Sequence, residues 1–82
     1  MQHEIKCWPE HFAVIASGAK TCELRLNDRN YLVGDMLYLR EWDSMENSYT
    51  GAALYAMVTH ILSGGVWLSP GYIAMSIKVV DV

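Results

Sequence analysis

The sequence predicts a mostly β, α+β fold: a small barrel of about five strands with one short N-terminal helix. Three observations carry that expectation. Several runs alternate apolar and polar residues with a period of two. Tight-turn residues separate them, at Asn27-Asp28-Arg29-Asn30, Val33-Gly34-Asp35 and Ser69-Pro70-Gly71. One early segment carries the three- and four-residue spacing of a helix.

His3 to Cys7 alternates, with Ile5 and Cys7 on one side, and reads as a strand. Pro9 suits a first helical turn, where its missing N–H had no partner to lose. Phe12, Ile15 and Ala16 then form one apolar stripe, and Ser17-Gly18 stops it. From Lys20 to Leu26 the period is two. Cys22, Leu24 and Leu26 face one way and Thr21, Glu23 and Arg25 the other, giving a strand with an apolar face and a charged face. Met36 to Trp42 alternates again, Asp43 to Thr50 reads as a polar connection, and Ala53 to Leu62 as a long, bent strand. Ser63-Gly64-Gly65 breaks it, and Tyr72 to Val80 closes the sheet. A sheet this small hides its edges by curling into a barrel.

With 82 residues, one domain spanning 1–82 is expected, around a thin core. Hydrophobic residues make up 52% and charged residues 18%, which favours a packed fold over disorder. The net charge of −3 argues against broad capture of duplex nucleic acid, which needs a basic face. It leaves room for a local basic pocket, because Lys20, Arg25, Arg29 and Arg40 are bunched in one stretch. Cys7 and Cys22 are too few for a disulfide framework and are expected to be small buried groups in a reducing cytoplasm. The apolar run Phe12 to Ala16 is far too short for a signal peptide or a membrane span.

Residues 18 to 25, Gly-Ala-Lys-Thr-Cys-Glu-Leu-Arg, read GxKxxExR. This resembles the signature of the ASCH superfamily, relatives of the PUA RNA-binding domains. The later segments, Leu39 to Asp43, Tyr49-Thr50-Gly51, Gly64-Gly65 and Pro70-Gly71-Tyr72, are similar to a compact bacterial and phage branch of it. The resemblance implies a PUA-like barrel with a cleft between helix and barrel, lined by Lys20, Glu23 and Arg25, that takes RNA, single-stranded nucleic acid or a modified nucleoside. Some small relatives are similar to amidohydrolases that deacylate cytidines. There the signature lysine works beside a threonine three residues later and a carboxylate from an inserted helix. Here the lysine position is Lys20, the later position is Glu23, and the segment between Leu62 and Tyr72 is too short for that helix.

The residues themselves support a binding module first. Lys20, Arg25 and Arg29 would meet phosphates or a polar base edge, with Arg40 either in the same cleft or facing solvent. Glu23 would orient Arg25 or accept from a ligand amino group. Trp8, Trp42, Trp67 and Tyr72 are candidate stacking residues. Each is weighed first as core filling, and Trp67, in a glycine-flanked loop, is the best exception. In the alternative, an amidohydrolase of N-acylated cytidine or a nuclease of single-stranded RNA, Lys20 and Glu23 would be catalytic. A protein-interaction domain is a third reading. His3, His11 and His60 lack ligand spacing, so neither metal nor cofactor is expected, and His60 is read as a core histidine. His11 is read as facing solvent, Asp28 as bonding the backbone of its own turn, and the five methionines as core filler on strands.

Overall fold

The structure is a computed structural model and describes residues 1–81. Five strands and one helix follow in the order β1 (Gln2–Cys7), α1 (Pro9–Ala16), β2 (Cys22–Leu26), β3 (Met36–Asp43), β4 (Ser48–Ser63) and β5 (Tyr72–Val80). They form one curled sheet, a half-barrel, with strand order β1-β3-β4-β5-β2. β1 runs parallel to β3, and the other neighbours are antiparallel. No helix among the described residues is long and apolar enough to cross a membrane.

The concave face holds the core. Ile5 and Cys7 of β1, Leu37 and Leu39 of β3, Ala56 and Val58 of β4, and Ile73, Met75 and Ile77 of β5 are buried there. Helix α1 starts at Pro9, buries Ile15 and rests Phe12 against the same cluster. It ends as its sequence requires. Gly18 adopts φ +85°, a left-handed conformation that costs glycine little, and the chain turns back into β2.

Three expectations about facing are corrected. Cys22, expected to be buried, is exposed, because the apolar side of β2 lies outside, with Leu24 and Leu26 58% and 49% exposed and Glu23 buried. The register explains this, because Glu23 and Arg25 lie beside the inward Met75 and Ile73 of β5. His60 is also exposed. Strict alternation from Ala56 and Val58 would turn it inward, but a register shift between Val58 and His60 reverses the side. Among the methionines only Met75 is fully buried. Met36 and Met57 are half-buried, and Met1 and Met45 are almost fully exposed.

Two connections also differ from expectation. The polar run after Trp42 is a tight hairpin, with Asp43 Oδ1 accepting from the N–H groups of Met45 and Glu46 and Asn47 at φ 52°. In the turn after β2, Asn27 performs the role expected of Asp28: its Oδ1 accepts from the Tyr31 N–H.

The outward apolar face of β2 makes a stability prediction. Leu26→Thr is expected to change the unfolding free energy by no more than about 0.5 kcal/mol, measured by urea denaturation. A loss several times larger would mean that Leu26 carries core packing.

Candidate functional site

β1 and β2 are the two edges of the sheet, and no strand pairing joins them. Arginines bridge the gap instead. Arg25 Nη2 donates to the Lys6 carbonyl at 2.8 Å, and Arg29 Nη1 donates to the Glu4 carbonyl at 2.6 Å. Two guanidinium groups from the β2 side therefore satisfy carbonyls on β1 that would otherwise face an open edge.

At the upper end of this seam, where α1 joins β1 to β2, lies an open cleft of about 700 Å³. Lys6, Cys7 and Trp8 line one side, His11 the helix side, and Lys20, Glu23, Leu24 and Arg25 the other. The signature residues Lys20, Glu23 and Arg25 are thus brought together. Lys20 and Arg25 share the cleft with one carboxylate in a chain whose net charge is −3, while the Lys6 ammonium is turned onto the Trp42 ring.

Glu23 is the fixed point of the site. Its side chain is 7% exposed, and Oε2 accepts from Arg25 Nε at 2.5 Å. Arg25 is therefore held twice, by Glu23 and by the Lys6 carbonyl, with its planar group locked in one orientation. Lys20 is half-buried, and its Nζ lies 3.4 Å from His11 Nδ1. His11 is exposed, but it faces the cleft and so has a neighbour that the sequence reading did not give it.

Cys7 is the thiol of the cleft. Burial first, and then the neighbouring Glu23 carboxylate, push its pKa up to about 11, with Arg25 and Lys20 opposing. The thiol stays protonated at neutral pH and is a poor nucleophile. No serine or threonine lines the cleft. Among the described residues no three His, Cys, Asp or Glu side chains converge as a ligand set.

The remaining candidates lie elsewhere. Arg29 serves the seam. Arg40 is on the outer face of β3, bonded to Glu4 Oε2 at 3.3 Å and stacked 3.7 Å over the Tyr49 ring. Trp42 meets Tyr49 edge-on at 4.9 Å and carries Lys6 Nζ 3.9 Å from its centroid. Trp67 is 76% and Tyr72 42% exposed, and neither lines the cleft. The aromatic that does so is Trp8, 53% exposed, which the sequence reading had weighed as core. Lys6 was also missed. Its signal was positional: the residues just before the Trp8-Pro9 break must stand where helix and strand part.

Residues 2–77 match the family model described as a domain of unknown function, DUF3850. The chain belongs to this family. It is similar to a protein of Escherichia phage P2, described as an uncharacterized 12.9 kDa protein in the GpA 3′ region, at 36% identity over 66 residues. That match takes in 80% of this chain and 59% of the phage protein, so the chain spans well under two thirds of its relative's length.

Proposed function

We propose that this DUF3850 domain binds RNA or a nucleotide in the seam cleft, as an ASCH-like, PUA-like module. One observation carries the reading. Lys20 and Arg25 share the cleft with the buried Glu23 and the exposed Trp8, while the chain as a whole is acidic. Cations placed to meet phosphate, with an aromatic face nearby, form the combination that single-stranded nucleic acid and nucleotides require. The acidic remainder keeps the attraction local and disfavours long duplex tracts. The GxKxxExR resemblance supports the same site, since all three of its charged residues line it. The hydrolase alternative gains no support from the cleft, where the thiol is held protonated and Glu23 is engaged by Arg25.

The test is an NMR titration of labelled protein with short RNA, short DNA, nucleotides and acylated cytidines. Amide shifts clustering at Lys6, Trp8, Lys20, Glu23 and Arg25, with the ligand unchanged, are the expected result. Lys20→Ala is expected to weaken binding about tenfold with little change in stability, since among the described residues the one hydrogen bond of Lys20 Nζ is with the exposed His11. Shifts confined to other surfaces would overturn the proposal, and a deacylated product would replace it with the enzyme reading.

A further inference from the structure

The buried carboxylate of the cleft is only half used. Glu23 Oε2 accepts a hydrogen bond from Arg25 Nε–H, but no hydrogen bond among the described residues reaches Oε1. No fully enclosed side-chain oxygen or nitrogen lacks a partner, so Oε1 opens onto the cleft that Glu23 lines. The group is 93% buried and cannot swing out to solvent without breaking the Arg25 contact. Such an oxygen is an acceptor held ready for a donor that the protein itself does not supply.

We infer that Glu23 Oε1 selects nucleotides whose base carries an exocyclic amino group, as cytosine and adenine do. The inference rests on the nucleotide reading of the cleft and adds its specificity. An ionised carboxylate only accepts hydrogen bonds. An amino group directed at Oε1 donates to it, whereas a carbonyl in the same place sets oxygen against oxygen. Buried sites built to bond one group discriminate strongly against an analogue that leaves them unpaired. The other parts of the cleft suit the same ligand. Lys20 is a cation free of a carboxylate partner among the described residues, and it meets the phosphate. Trp8 offers a face to the base. Arg25 spends Nε and Nη2 on the protein, so its task is to fix Glu23.

Matched ligands test this by calorimetric titration of the intact chain. CMP against UMP, and AMP against IMP, keep the ring system and the phosphate while exchanging amine for carbonyl and the bare ring nitrogen beside it for an N–H. N4,N4-dimethyl-CMP removes the donor N–H groups of CMP and leaves the ring nitrogen alone. The amine member of each pair is expected to bind about tenfold more tightly, with dimethylation abolishing the advantage. Glu23→Gln is expected to level the pairs, because its amide offers both a donor and an acceptor. The dimethyl ligand makes the same test on the unaltered protein should that variant fold poorly. Equal binding of amine and carbonyl members, with shifts still in the cleft, would overturn this inference and leave the nucleotide reading standing. Failure of every nucleotide to bind would overturn both.

Discussion

Arg25→Ala is expected to lower the unfolding free energy by about 3 kcal/mol, because it strands a buried charge. The Glu23 side chain is 7% exposed, and Arg25, itself 30% exposed, is its ion-pair partner. Removing the guanidinium leaves the carboxylate in the concave face without its hydrogen-bonded counter-charge and without full hydration. It also takes the donor from the Lys6 carbonyl at the seam. The measurement is a urea unfolding curve, read as a lower midpoint at an unchanged slope. A double-mutant cycle then isolates the pair. Glu23→Gln on its own removes the charge that makes the loss costly, so combining it with Arg25→Ala should cost distinctly less than the two singles added together. A loss below about 1 kcal/mol for Arg25→Ala would show a pair worth no more than an exposed surface bridge. It would then follow that the seam is held by something other than its arginines.

That dependence on a polar pair explains where sequence reasoning succeeded and where it failed. Period-two spacing placed Glu23 and Arg25 on one face of one strand, and this is how they lie. The burial expected of Cys22 failed, because β2 is an edge strand at an open seam and its apolar face is the outer one. What lies inside it there is a cleft, and the two charged groups satisfy each other and a β1 carbonyl. Leu24 and Leu26 are left outside. His60 failed for a different reason. A one-residue bulge leaves no signature in the alternation itself, yet it reverses every facing beyond it.

Local signals did better. Pro9 and Gly18 bound the helix closely, and the Gly34 and Gly71 turns stand where their neighbours suggested. The pairing of β1 with β3 was not legible. It is parallel and joins residues more than thirty positions apart, such as Gln2 with Met36, with α1 and β2 between them in the chain. That pairing also brings the end of β1 to the cleft. Lys6, Cys7 and Trp8 therefore belong to the site through topology, whereas Lys20, Glu23 and Arg25 belong to it through a local motif.

The second large effect lies at the opposite end of β1 and is a dependence on pH. Asp35 is buried, and its carboxylate accepts from His3 Nε2 at 2.8 Å, from the Leu32 N–H at 3.0 Å and from the Met1 ammonium at 3.1 Å. His3 is itself buried, with its ring 4.6 Å from that of Tyr31. The bond from His3 foremost, then the Leu32 N–H and the N-terminal ammonium, hold the Asp35 pKa down to about 2 against the opposing effect of burial. The ordinary value is 3.8. A folded-state pKa below the unfolded one means that the folded protein binds fewer protons, so the contribution is complete above about pH 4 and is lost as pH falls towards 2. At 1.36 kcal/mol per pKa unit it amounts to about 2 kcal/mol. Asp35→Asn keeps the shape and removes the titration. Unfolding free energies of the two proteins, taken by urea from pH 5 down to pH 2, should differ by about 2 kcal/mol at the upper end and converge at the lower. Parallel curves across that range would place the acid sensitivity in another carboxylate. Convergence would show that the ionised Asp35 carboxylate, through its bonds to His3 and Met1, fastens the start of β1 to the turn before β3.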